Sequence, residues 1–488
     1  MVVAQRWAGA AFLGVGAASA ALYALWSVWV PLLPTNLFVP LLDLGKMTGY
    51  RWDSALRYLA LEGGLFSLYG VGYALARRGG AGLTQVLLLA ALFCAPLLLV
   101  YPATAADLFG YVAQGRLLAL HHVNPFSVVP DDFPGDAILP YVVFPQEPSQ
   151  YGPLWAWIGA TISLLAGADA RTVAALPREA LLYKTVAAVA HLGSAALVFS
   201  VARRLADRRS DAVSAAYLFA WNPLLLWEMV GNAHNDGVMA LGGLGALLAL
   251  ASRRDVWVLP AVALGAMVKV PIVAAAPVLA IVLWRRGARA TLVGLAIAAA
   301  LVAAAYAPFW QGLATLTFLG RGDLFTASPA SALRYLLTPA HGEADAAHIA
   351  RLVTGALLLA ALAPILYRAL RARSDRDAVE LTYWAVLAAL LLGVTWFQAW
   401  YLVWPLAMAA PLALPARNRE VVLLSVGGMG TYLVFIYLWV MGVIPGGATG
   451  AQIAAVSVLL GPLLLSWVVA ALPRPRAREP WSLTSAAR

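Results

Sequence analysis

Charge is what this 488-residue chain has least of: Asp, Glu, Lys and Arg make up 11% of it, against roughly 25% in a soluble domain. That shortage excludes an ordinary globular enzyme. The 62% hydrophobic content and mean hydropathy of +0.80 place the chain in a bilayer instead. Cysteine is almost absent. The single Cys94 lies inside an apolar run, so it forms no intrachain disulfide and has no metal-ligand neighbours. HExxH and HxxxH spacings are missing, as are low-complexity linkers and obvious internal repeats. The alternating pattern of a transmembrane barrel is missing too, and runs of about 20 apolar residues follow one another from end to end. The chain reads as all-α and polytopic, one integral membrane domain over 1–472 with no room for a separate soluble domain. Helices satisfy their own backbone inside lipid.

Positive charge is in excess, with a net +10. In a soluble protein that balance suggests nucleic acid. Here the basic residues sit in short clusters between apolar runs, so topology explains them and no nucleic-acid partner is expected. Candidate spans are 8–30, 55–77, 82–101, 179–202, 212–230, 235–252, 255–269, 271–284, 288–310, 346–369, 378–396, 398–414, 420–442 and 450–472, about fourteen by length. The first resembles a signal peptide, but its apolar core is too long and it is taken as a span. The clusters Arg77-Arg78, Arg203 to Arg209, Arg253-Arg254, Arg285 to Arg289, Arg371 to Arg376, Arg417 to Arg419 and Arg474 to Arg478 all face the cytoplasm under two conditions. The segment "YGPLWAWIGATISLLAG" (Tyr151–Gly167) does not cross and lies on the outer side. The run 255–284 splits near Lys269-Val270-Pro271 into two short spans. Both termini are then cytoplasmic, in the plasma membrane, and 473–488 is expected to be a disordered cytoplasmic tail. Two long outer loops remain, 102–178 and 311–345, and long loops are often functional.

The outer ends carry a mixed polar set: Asp107, Arg116, His121, His122, Lys184, Glu228, His234, Asn235, Asp236, Lys269, Arg321, Gln398 and Tyr401. Ionisable groups near membrane depth are costly and tend to be paired or functional. Asp107 has two readings, a helix N-cap (shared with Thr104) or a general base taking a proton from an incoming hydroxyl. In "WNPLLLWEMVGNAHND", Asn235 and Asp236 read as caps, or His234 and Asp236 as part of an outer pocket. Lys269, Arg321 and Lys184 are candidate phosphate ligands, since cationic donors bind phosphate well. Tyr111, Gln114, Arg116, Asn124, Tyr151 and Trp155 are candidate walls of the same pocket. The stretch "VTWFQAWYLVWPLA" reads as an interfacial aromatic belt, or, with Gln398, Trp400 and Tyr401, as a surface for sugar rings and isoprenoid chains. No metal site is expected, although Asp107, Asp236 and Glu147 are chemically able to bind one. His191, mid-span, reads as a satisfied interhelical hydrogen bond.

Taken in order, "DLFGYVAQGRLLALHHVNPF", "QYGPLWAWI", "WNPLLLWEMVGNAHNDGVMAL", "MVKVPIVAAAPVLA" and "FQAWYLVWPLA" resemble the polyprenyl-phosphomannose-dependent alpha-mannosyltransferases of the GT-C superfamily. The nearest resemblance is to the alpha-1,6-mannopyranosyltransferases, over about Tyr101 to Pro405. The resemblance implies a catalytic carboxylate early in the first large outer loop, where Asp107 stands, and juxtamembrane helices in that loop. It also implies a polyprenyl-phosphate sugar donor with its tail among the spans, a glycan or glycolipid acceptor, and no nucleotide cofactor. A base opposite a phosphate leaving group would invert the anomeric centre. Other classes stay open: a flippase for lipid-linked sugars, a non-catalytic subunit, or the same enzyme with arabinose or glucose. Sugar, acceptor and oligomeric state are not legible here.

Overall fold

The computed structural model describes residues 2–316 and 324–472. The candidate cation Arg321 and the tail 473–488 lie outside the described residues. Among the described residues there is no β-strand, and every proposed span falls on a helix or a run of helical turns. In chain order these are α1 (Val2–Trp29), α2 (Trp52–Arg77), α3 (Leu83–Leu98), α4 (Asp107–Ala119), α5 (Pro153–Ala166), α6 (Leu176–Leu205), α7 (Arg209–Ala220), α8 (Asp236–Ala251), α9 (Val258–Ala266), α10 (Ala276–Arg286), α11 (Ala288–Tyr306), α12 (Pro329–His341), α13 (Glu343–Ala369), α14 (Asp375–Gly393), α15 (Val403–Ala409), α16 (Pro415–Tyr432) and α17 (Gly447–Ala471).

Seven stretches are long and apolar enough to cross a bilayer unaided: Trp7–Trp29, Trp52–Arg77, Leu176–Leu205, Ala288–Phe309, Glu343–Ala369, Pro415–Leu438 and Gly447–Ala471. The other proposed spans are shorter or broken, and the breaks have local causes. After α7, Asn222 caps a new turn at Pro223, and the backbone then widens into a π turn over Leu226–Gly231. After α9 the chain turns at Met267–Lys269 and restarts as a 3-10 turn, Val270–Ala275, with Pro271 in its first turn. Proline lacks the N–H that a continuous helix would need there. The split expected at Lys269-Val270-Pro271 is therefore present.

Among the described residues, basic clusters from separate helices meet one another. Arg286 contacts both Asp255 and Asp375, and Arg253 lies 3.4 Å from Asp375. Arg376 donates to the carbonyl of Leu205 at 2.6 Å, and Arg77, Arg208 and Asn418 line one small cavity. The polar residues of the other ends, Asp107, His234, Lys269 and Gln398, meet at the opposite ends of these same helices.

Loop 102–178 is a folded unit on that opposite face. Its two helices, α4 and α5, touch at Gly115 and Gly159, where a Cβ on Gly115 would lie 2.7 Å from the Gly159 backbone. Arg116 holds the unit to α6. Its guanidinium is fully buried, reaching Glu179 at 2.7 Å and Asp136 at 3.3 Å, and donating to the carbonyls of Asp169 and Thr172. Asn124 donates to the carbonyl of Phe309 at 2.8 Å, and Tyr141 to that of Phe38 at 3.0 Å. A fourth anchor is backbone to backbone: Gly152 N and Leu154 N donate to the carbonyls of Val268 and Met267, both at 3.0 Å. This seats the start of α5 on the break that follows α9. His191 donates to the Ala220 carbonyl at 2.9 Å, an interhelical bond within the core.

Candidate active site

Asp107 is the first residue of α4, and its side chain caps nothing. Its carboxylate turns inward, with Tyr151 Oη 3.4 Å and His234 Nδ1 3.6 Å from Oδ2. About 29% of the side chain stays open to solvent. Burial opposes its ionisation, yet His234, Lys269 and the Tyr151 hydroxyl together hold its carboxyl below the usual carboxylate range. Burial, with the Asp107 charge beside it, pushes the Tyr151 hydroxyl well above its ordinary value, so it stays a donor.

Asp236 does not cap α8 either. Buried at the start of that helix, it accepts from Lys269 Nζ at 2.7 Å and from Trp404 Nε1 at 2.5 Å. Lys269 stands on the break between α9 and the following 3-10 turn. Its ammonium lies 4.9 Å from the Tyr401 ring centre and 5.7 Å from that of Tyr151, within cation–π range. Tyr401 in turn stacks on Trp404 at 4.6 Å. Tyr401 and Trp404 of the aromatic motif thus pack around the Lys269 cation.

A cavity of about 860 Å³ opens in front of these groups, within the range of small-molecule sites. One end is polar, lined by Asp107, Gln114, Glu147, Tyr151, Lys269, Gln398 and Tyr401. Trp400 and Trp404 close its back. The other end runs between helices, past Val270 and Pro271, then Arg351, Thr354, Gly355 and Leu358 of α13, and Leu392 and Gly393 of α14. The polar residues beside the carboxylate are continuous with a mixed slot, in which Arg351 and Thr354 stand among Leu358, Leu392 and Gly393.

The candidate residues from the sequence divide into three groups. Asp107, Gln114, Tyr151, Lys269, Gln398, Trp400 and Tyr401 line the cavity. Tyr111, Trp155, His234, Asn235 and Asp236 form the buried wall behind it: Tyr111 lies edge-on to Tyr151 and Trp155 and donates to Asn235 Oδ1 at 3.4 Å. Arg116, Asn124 and Lys184 serve elsewhere. Arg116 and Asn124 are the loop anchors already described. The Lys184 ammonium is fully buried and donates to the carbonyls of Val230 and Gly231, the end of the π turn, so it does not face the cavity. The π turn leaves carbonyls without helical partners, and the ammonium fills that need. Among the described residues no group of three His, Cys, Asp or Glu is arranged to hold a metal ion.

Sequence reasoning passed over Trp404, Arg351, Thr354 and Gly355. Trp404 stood in a quoted motif, but its partner is 168 residues away. Arg351 lay inside the expected span 346–369, and a charge at that depth was the available signal.

Residues 13–285 match the family model described as alpha-(1->6)-mannopyranosyltransferase, N-terminal domain. The chain belongs to the alpha-(1->6)-mannopyranosyltransferase family. It is accordingly a membrane glycosyltransferase of the GT-C type. Alpha-(1->6)-mannopyranosyltransferase A of Mycobacterium tuberculosis is 28% identical over 372 residues, 71% of this chain and 68% of that protein. A probable alpha-(1->6)-mannopyranosyltransferase of Mycolicibacterium smegmatis is 30% identical over 282 residues, 51% of this chain and 48% of that protein. An alpha-(1->6)-mannopyranosyltransferase A of Corynebacterium glutamicum is 28% identical over 160 residues, 32% of this chain and 31% of that protein. Within this family the matched region carries Asp107, Tyr151, His234, Asp236 and Lys269, while Gln398 to Trp404 lie beyond it.

Proposed function

We propose that this chain moves a mannosyl residue from polyprenyl-phosphate-mannose to the hydroxyl of a mannoside or glycolipid, with inversion, at the extracytoplasmic face. The observation that carries the reading is the continuous cavity, lined on one side by the Asp107 carboxylate and Lys269 and on another by α13 and α14, where Leu358 and Leu392 accompany Arg351 and Thr354. The names of the relatives supply the sugar. The face follows from the basic clusters gathered at the other end of the bundle, which the positive-inside bias assigns to the cytoplasm.

In this reading the phosphate lies near Lys269 and Arg351, and the prenyl tail runs on along the apolar residues Leu358 and Leu392. Asp107 takes the proton of the acceptor hydroxyl as its oxygen attacks the anomeric carbon. The anomeric C–O bond to phosphate breaks, and its electron pair leaves with the polyprenyl phosphate. The phosphate needs no strong acid to depart, so one base suffices, and attack from the opposite side inverts the centre. Lys269, steadied by Asp236, offsets the charge growing on the phosphate. Chain cations supply that charge, so no metal is required in this scheme.

The test is transfer by purified protein from polyprenyl-phosphate-[14C]mannose to a short alpha-mannoside, for wild type and Asp107→Asn, with and without chelator. Wild-type transfer that survives chelation, and its loss in a folded Asp107→Asn protein, is the expected result. Equal transfer by the two proteins would remove Asp107 from the role of base.

A further inference from the structure

Three titratable groups stand in a row behind the cavity. His234 is fully buried, and each of its ring nitrogens faces a carboxylate. Nδ1 lies 3.6 Å from Asp107 Oδ2, and Nε2 lies 3.4 Å from Glu228 Oε2. The imidazole lies flat on Trp400, ring centres 4.0 Å apart at 16°. Glu228 is itself held at its other contacts, by the Tyr432 hydroxyl at 2.6 Å and by Asn232 Nδ2 at 2.8 Å.

The backbone is shaped to produce this row. The π turn Leu226–Gly231 sets Glu228 beneath the ring, and His234 N donates to the Glu228 carbonyl at 3.1 Å. Ala233, just before the histidine, has φ +62°, a left-handed conformation that disfavours a residue with a Cβ. Such strain persists only where its surroundings impose it. Asn232 also donates to Thr104 Oγ1 at 2.6 Å, tying the row to the segment that delivers Asp107.

Proton counting constrains the row. An ionised carboxylate only accepts, and a neutral imidazole offers one N–H and one lone pair. A neutral ring between two ionised carboxylates would set a lone pair against a carboxylate. At 3.6 and 3.4 Å the two contacts are ion-pair contacts and neither ring nitrogen has a hydrogen-bond partner; electrostatically both are favourable when the three groups hold two protons. Either an imidazolium stands between two carboxylates, or a neutral ring stands beside one protonated carboxyl. The net charge is −1 in both cases.

We propose that His234, backed by Glu228, is a positioning residue that keeps the resting proton of this row away from Asp107, so the base is ionised when the acceptor arrives. The proposal rests on the reading of Asp107 as the base. In the transfer step the acceptor proton goes to the carboxylate oxygen of Asp107 that faces the cavity, the row gains its third proton, and its charge rises from −1 to zero. The acceptor oxygen bonds to the anomeric carbon as the phosphate leaves. The other charged and titratable groups facing the row are Tyr151 and Lys269 at its Asp107 end and Tyr432 at its Glu228 end. Tyr111 also faces the Asp107 end, Glu62 and Tyr58 of α2 face the Glu228 end, and Asp236 lies behind Lys269.

The experiment is the pH profile of kcat/KM for mannosyl transfer, with the donor KM, for wild type, His234→Gln and His234→Asn. Asp107→Asn is the control, and the melting temperature of each protein in detergent is measured alongside. Removing the cation-forming ring raises the Asp107 pKa, so the acid limb moves to higher pH by about one to three units. Activity lost near pH 6 returns on going alkaline, and the donor KM stays put. A loss of equal size at every pH overturns the proposal, because a purely structural role gives that. The wild type is a second measurement: its profile is expected to stay flat down to about pH 5, since an ordinary Asp titrates near 3.9. A wild-type acid limb between pH 5 and 8 overturns the proposal even if the histidine variants do not fold. Absence of transfer in the wild type, or full activity in Asp107→Asn, refutes the underlying reading instead, and the proposal falls with it.

Discussion

Gly152→Ala tests whether loop 102–178 must dock on the break after α9 for the site to form. A Cβ at position 152 would lie 2.1 Å from the Met267 carbonyl oxygen and 2.4 Å from its carbon. Ordinary contact begins near 3.4 Å, so the two backbones must part by 1.3 Å (3.4 minus 2.1). The bonds from Gly152 N to Val268 O and from Leu154 N to Met267 O, now 3.0 Å each, do not survive such a shift. At roughly 1 kcal/mol net per bond, the direct loss is about 2 kcal/mol. The larger effect falls on chemistry. Tyr151 precedes the anchor and Lys269 follows the segment it grips, so both move relative to Asp107. A displacement of about 1 Å in a reacting constellation costs on the order of a hundredfold. We expect kcat/KM for mannosyl transfer to fall about a hundredfold while the melting temperature in detergent drops only modestly. A Gly152→Ala protein within threefold of wild type would refute the docking argument.

Two further substitutions probe separate parts. Arg116→Met leaves Glu179 and Asp136 without their buried cation, and breaking such a pair costs about 3–5 kcal/mol; a marked fall in thermal stability in detergent is expected, and an unchanged melting curve would contradict the anchoring role. Gly355 lies on the slot, where an added Cβ meets open space. Gly355→Leu is therefore expected to raise the KM for a long-chain polyprenyl donor more than for a short-chain one; equal effects would place the tail elsewhere.

The helices and the gathering of polar groups at one end were legible because both follow from local composition. Apolar runs specify helices, and arginine clusters mark one common end of them. Even the break at Lys269-Val270-Pro271 could be read, since proline forbids the continuous helix. What could not be read was pairing. Asp107, Asn235 and Asp236 occupy positions where the local rule favours a cap, yet their side chains serve partners far along the chain: His234, Tyr111, Lys269 and Trp404. Arg116 and Lys184 carry the same charge as Lys269 but are consumed by buried carboxylates and by π-turn carbonyls. All three are basic residues, and only tertiary contacts separate their roles.

The pairings of the buried wall also bear on how the protein is made. Asp107, His234 and Lys269 leave the ribosome well before Trp400, Trp404 and Tyr432, which supply the stacking surface for His234 and hydrogen bonds to Asp236 and Glu228. Until the last third of the chain is inserted, those buried carboxylates lack part of their solvation. A nascent chain halted near residue 285 would thus hold Asp236 and Glu228 without their Trp404 and Tyr432 donors.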